Sequence, residues 1–117
     1  MVREIIFFGD EIIEFYESQE IKVRLKIEYV LDLVRFELRV PDKFFKKLEK
    51  TDGIYEVRVI TSQKSIRLLC FNDEDNLVVL TNGFVKKTQK TPKREIEKAE
   101  RLKKEYLIWK RDENKNT

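Results

Sequence analysis

The chain has 117 residues, of which 41% are hydrophobic and 40% charged, with a net charge of +3, one cysteine and no histidine. This length suits a single domain that buries its core without disulfides or metals, expected over residues 1–111 with a polar tail at 112–117. Cys70 alone excludes an internal disulfide and fits the reducing cytoplasm, while the short apolar runs exclude a membrane span and a secretory signal.

Residues 3–8 are β-rich and read as a first strand, broken at Gly9-Asp10. Asp10 is expected to cap a helix carrying Ile12, Ile13 and Tyr16 on its apolar side, closed by Ser18-Gln19. From Glu20 to Arg39 two patterns compete. Ile21, Val23, Leu25, Ile27 and Tyr29 alternate as in a strand, whereas Val23, Ile27, Val30, Val34 and Leu38 keep helical spacing. Twenty residues without Gly or Pro exceed a usual strand, so a helix ending at Val40-Pro41 is expected. Asp42 then caps a brief helical turn through Phe44, Phe45 and Leu48.

Thr51-Asp52-Gly53 is a turn signal, after which the pattern changes to period two. Ile54–Thr61, Ser65–Phe71 and Leu77–Val85 read as three strands of an antiparallel meander, with an acidic loop at residues 72–76. Thr91-Pro92 opens a last helix with Ile96, Ala99, Leu102, Tyr106 and Trp109 as its apolar stripe. Glu97–Arg101 and Glu100–Lys104 pairs are expected on its outer face.

Charge is unevenly spread. The first twenty residues carry −5, and residues 85–111 carry +7. Such asymmetry points to one anion-attracting face, or to no more than solubility. Within the meander, alternation puts Ile54, Glu56, Arg58 and Ile60 on one side of their strand. It groups Val78, Leu80, Asn82, Phe84 and Lys86 on one side of theirs, and places Arg67 beside Leu69 and Phe71. A register that brings Arg58, Arg67 and Lys86 together would make a basic, partly aromatic hollow suited to a polyanion. Taken singly, each has a plainer reading: Arg58 as an ion pair with Glu56, Phe84 as core, Trp109 as helix packing.

Without histidine, the usual acid–base pairs, triads and most zinc sites are excluded, and no P-loop or dinucleotide glycine pattern occurs. Arginine can hold phosphate but is a poor base. A lysine whose pKa is lowered by neighbouring cations can accept a proton, and the Lys86-Lys87 cluster offers that influence; Glu56 is the other proton acceptor. Cys70 reads as a small buried hydrophobe.

Gly53-Ile54-Tyr55-Glu56-Val57-Arg58-Val59, Ile66-Arg67-Leu68-Leu69-Cys70-Phe71 and Leu80-Thr81-Asn82-Gly83-Phe84-Val85-Lys86-Lys87-Thr88-Gln89-Lys90-Thr91-Pro92, followed by Glu95-Ile96 and Ala99, resemble the RelE/ParE superfamily. Within it the match is to the HigB-type, phage-derived host-inhibition toxins, over roughly residues 48–109. The resemblance implies an α+β fold, a small antiparallel sheet with two N-terminal helices and a C-terminal helix. It implies a type II toxin that cuts mRNA in the A site of the 30S ribosomal subunit, without cofactor or metal, held in check by a helix-turn-helix antitoxin. Carried over, Arg58 and Arg67 hold the scissile phosphate, Phe84 stacks on a base, and Lys86 and Lys87 supply charge or proton transfer. Lys90, Lys64 and Glu56 join the RNA contacts. Asn82 stands where the family usually has histidine and Cys70 where tyrosine is common, so both rings are missing. A gyrase-poisoning toxin of the ParE kind and a non-catalytic RNA- or antitoxin-binding module remain the alternatives.

Overall fold

Residues 1–115 are described by a computed structural model. Its centre is a five-stranded mixed sheet in the order β1-β5-β4-β3-β2. The strands are β1 (Glu4–Phe7), β2 (Phe45–Lys47), β3 (Ile54–Ile60), β4 (Ser65–Asp73) and β5 (Leu77–Val85). The meander β3-β4-β5 is antiparallel as expected, but the sheet is not antiparallel throughout, because β1 lies parallel to β5. A parallel neighbour needs a crossover, and the whole segment between β1 and β5 supplies it.

Helices α1 (Asp10–Glu17) and α2 (Ile21–Phe36) cover one face. Ile12, Val23, Ile27, Val30, Leu31 and Val34 pack there on Val57, Val59, Ile66, Leu68, Val78 and Leu80. Helical spacing therefore wins over alternation in α2, leaving Ile21, Leu25 and Tyr29 exposed. The helix ends at Phe36, well before Pro41. The Arg3 guanidinium donates to the carbonyls of Val34, Glu37 and Leu38, satisfying the groups a helix C-terminus leaves open. At the start of α1, Gly9 rather than Asp10 occupies the cap position, with φ 83° and no side-chain cap.

The helical turn expected through Leu48 is instead a tight turn on the Pro41 carbonyl followed by strand β2. Pairing with β3 outweighs the local signal there, and Phe45 stacks on Tyr55 at 5.2 Å. The β2–β3 turn uses Gly53 at φ 69°, and the Thr51 hydroxyl, not Asp52, accepts the Ile54 N–H.

Helix α3 (Lys93–Lys115) lies on the other face, over Ile54, Leu69, Phe71 and Val79 through Ala99 and Tyr106. It runs through residues expected in the polar tail; residues 116–117 lie outside the described residues. In place of the expected pairs, Glu97 meets Lys93, Arg101 meets Glu105 and Glu11, and Glu100 accepts the Asp52 N–H. Trp109 is half exposed, against Phe8 and Tyr106. Among the described residues no helix is long and apolar enough to cross a membrane.

One irregularity decides the functional face. Leu69 faces Asn82 but Cys70 faces Leu80, so Thr81 is an extra residue in β5. A bulge of this kind reverses the side-chain alternation beyond it. Val78 and Leu80 therefore point toward α1 and α2, while Phe84 packs on the α3 side. The single face expected for Val78 through Lys86 is thus split at Thr81.

Candidate functional site

Helix α3 covers only part of its sheet face. Beyond its N-terminus, Arg58, Arg67 and Phe84 stand directly opposite one another on three adjacent strands. Lys86 follows on the same side, its N–H continuing the ladder to the Ser65 carbonyl. The co-facial basic cluster conceived from alternation exists, and the bulge at Thr81 is what creates it. Without that extra residue Phe84 and Lys86 would face the α1–α2 core.

Beneath the cations lies Glu56, 1% exposed. Its Oε1 accepts from Arg58 Nε at 2.8 Å and lies 3.6 Å from Arg67 Nε. Its Oε2 accepts from the Thr91 hydroxyl at 2.8 Å. The ion-pair reading of Arg58 is therefore correct, and Glu56, expected among the RNA contacts, is buried under the arginines instead. Arg67 donates from Nη1 to Ser65 Oγ and the Ile66 carbonyl, yet its buried Nε has no hydrogen-bond partner. Such an orphan costs free energy unless something compensates it.

Lys86 makes no hydrogen bond or ion pair through its ammonium among the described residues. Its pKa is lowered, first by partial burial and then by Arg67, Arg58 and Lys46, against the opposing pull of Glu56. Burial likewise lowers that of Arg67, with Glu56 opposing and Arg58 assisting. Two contiguous hollows share Lys86. One, of about 420 Å³, includes Lys46, Arg58, Lys90 and Thr91, with Glu49 at its exposed rim; the other, of about 470 Å³, includes Arg67 and Lys87.

Phe84 is partly buried on the α3-side core and lines a neighbouring hollow with Lys87 and Pro92. Lys64 does not join the group: its ammonium donates to Gln19 at the α1–α2 junction. Cys70 is fully buried, its thiol pushed far upward by burial, so it carries no chemistry here. Asn82 is fixed inside, its amide nitrogen donating to the Glu95 carbonyl and side chain while its oxygen accepts from Thr81.

Lys46 was not expected. It sits opposite Glu56 on β2 and adds a cation to Lys86. The sequence holds no period-two signal for it, since Phe44-Phe45-Lys46-Lys47 does not alternate, and only pairing with β3 reveals the strand. A groove of about 530 Å³ by Phe45 and Tyr55 mixes Arg39 and Lys47 with Asp42 and Asp73, and Arg3 there is spent on carbonyls. No group of three or more Asp, Glu or Cys placed to hold a metal occurs among the described residues.

The surroundings of Lys86 therefore gather cations of the kind that hold a phosphate group and screen its charge. Comparison with known proteins agrees with the architecture. The family described as "Phage derived protein Gp49-like" matches residues 14–104. The RelE–RelB complex from Pyrococcus horikoshii OT3 contains a chain of similar fold, at TM-score 0.54 and 15% identity, over 73% of this chain and 96% of that one. No curated protein matches the sequence.

Proposed function

The chain belongs to the phage-derived Gp49-like family, and on that footing we propose that it is a toxin that cleaves mRNA on the ribosome. The observation that carries this reading is the placement of Arg58, Arg67 and Lys86 on one sheet face beside Phe84, with Lys86 shared by a hollow that holds Arg58 and one that holds Arg67. Arg58 and Arg67 hold the scissile phosphodiester and offset the charge that builds on its oxygens. Lys86 takes the proton of the ribose 2′-hydroxyl, which attacks the adjacent phosphorus. The bond from phosphorus to the 5′ oxygen breaks and that oxygen takes a proton from water, leaving a 2′,3′-cyclic phosphate and a 5′-hydroxyl. Lys46, Lys87 and Lys90 hold the flanking backbone, and Phe84 stacks on a base. The chemistry is carried by these cations and asks for no metal.

The solved neighbour is a complex with RelB, which supports a protein antitoxin as partner. We take that antitoxin to be a helix-turn-helix protein with an acidic segment that covers the basic hollow, and the site of action to be the cytoplasmic 30S A site. One observation favours a non-catalytic RNA-binding reading: Asn82, in the place of the family histidine, is consumed in packing.

Mapping of mRNA 5′ ends on translating ribosomes after brief expression separates the two. New ends within A-site codons, absent from an Arg67→Ala strain, are expected. Intact messages with ribosomes still bound would favour the non-catalytic module, and intact messages with a DNA-damage response would favour gyrase poisoning.

A further inference from the structure

Glu56 Oε1 is contested. Arg58 holds it at 2.8 Å, while Arg67 Nε, buried and without a hydrogen bond, waits 3.6 Å away. The other carboxylate oxygen is tied down by Thr91. The two arginines differ in freedom, since the Arg58 side chain is 23% exposed and that of Arg67 only 8%. Arg58, tied otherwise by a long 3.5 Å hydrogen bond from Nη1 to the Asp42 carbonyl, can turn outward, whereas Arg67 is held by Ser65 at 3.0 Å and by Ile66 at 3.1 Å.

We infer that Glu56 is an internal counter-anion that lends Arg58 to an incoming phosphodiester and takes Arg67 Nε in exchange. The exchange answers two problems at once. Removing one partner from a buried carboxylate is strongly unfavourable unless another replaces it, and the orphaned Arg67 donor is the replacement at hand. Thr91 keeps the carboxylate in place meanwhile, and so joins the 86–92 loop, which carries Lys86, Lys87 and Lys90, to the arginine pair. Glu56 is thus a positioning residue, acting through Arg58 and Arg67. It also restrains the site: a free anion has to outcompete a carboxylate that is already there. The inference rests on the RNA reading of the same site.

The test uses the full chain and a short single-stranded RNA that is 2′-O-methylated, so that it binds without being cut. Glu56→Gln keeps the size and polar character of the side chain and removes the competing charge. It is expected to tighten binding by roughly tenfold, the scale of one charge-assisted hydrogen bond. In an Arg58→Ala background the same substitution is expected to give no gain. An equal gain in both backgrounds would mean a general charge effect and overturn the exchange. So would equal or weaker binding by a folded Glu56→Gln protein.

A second measurement needs no substitution. The Nε–Hε resonances of Arg58 and Arg67 in the natural chain are expected to move in opposite directions on adding the RNA, as one leaves the carboxylate and the other joins it. Two unmoved resonances on a chain that binds the RNA sink the exchange alone. A natural chain that neither binds this RNA at low salt nor produces new mRNA ends sinks the function with it.

Discussion

At the scale of single residues, the site concentrates positive charge at a cost to the fold. Arg58 and Arg67 are directly opposed across two strands, an arrangement that like charges disfavour, and Lys86 adds a third cation that makes no ion pair among the described residues. Because the folded pKa of Lys86 is lowered, the unfolded chain binds more protons between that value and the ordinary lysine value near 10.5. Stability tied to Lys86 therefore rises as pH climbs through that window. Lys86→Ala is expected to abolish growth inhibition while melting no lower than the natural chain, which a toxicity assay paired with thermal denaturation reads directly. Lys86→Arg keeps the charge but not the proton acceptor. It should bind blocked RNA within about threefold of the natural chain yet lose roughly a hundredfold or more in single-turnover cleavage on ribosomes. Near-normal cleavage by that variant would remove Lys86 from proton transfer and leave it a purely electrostatic part.

At the scale of elements, β5 does two jobs within nine residues. Its first half faces the α1–α2 core, and the bulge at Thr81 turns its second half toward the open face. Asn82, beside the bulge, ties β5 to the first turn of α3 through Glu95. Asn82→Ala leaves those buried groups unpaired and is expected to destabilise by about 1–3 kcal/mol in urea unfolding. Gly83 faces the other way, where an added methyl would lie 2.5 Å from Phe15 Cδ2 and 2.9 Å from Leu68 Cδ2. Gly83→Ala is therefore expected to cost about 1–3 kcal/mol through overpacking between α1 and β5, measured in the same way. Toward its other end α3 is anchored by the Tyr106 hydroxyl, which donates to Asp73 at 2.6 Å, with Lys110 beside it. Burial, then the hydrogen bond to Asp73, pushes the Tyr106 pKa up to about 12. Its contribution is complete below the ordinary tyrosine value near 10 and is lost as pH rises toward 12. Tyr106→Phe should flatten this alkaline loss and lower stability at neutral pH by about 1 kcal/mol. A variant with the natural alkaline profile would show that some other group controls it.

At the scale of the whole molecule, the charge split legible in the sequence becomes a division of surfaces. The basic stretch from Lys86 into α3 adjoins the open end of the sheet, while Glu11 in the acidic N-terminal segment pairs with Lys98 and Arg101 of α3. Part of the acidic segment thus neutralises α3 rather than the loop lysines. If Arg58, Arg67 and Lys86 share the scissile phosphate and Lys46, Lys87 and Lys90 each meet a flanking one, single-stranded RNA affinity should fall with a log–log salt slope of roughly −3. A slope near zero would mean that the cations do not meet the backbone at all.

The α+β class, the meander, the long second helix and the cationic residue set were all legible in the sequence, because each rests on local periodicity and residue chemistry. Arg58 and Arg67 could be named that way, since strand alternation is a property of neighbours along the chain. The parallel seat of β1, the identity of β2, the burial of Glu56 and the reach of Lys46 were decided only by tertiary structure, because pairing between distant strands set them. The bulge at Thr81 is the sharpest case: one extra residue, invisible to a period-two count, moved Phe84 and Lys86 onto the face where Arg58 and Arg67 already stood. Register depends on what lies across the sheet, and a linear pattern holds no information about that neighbour.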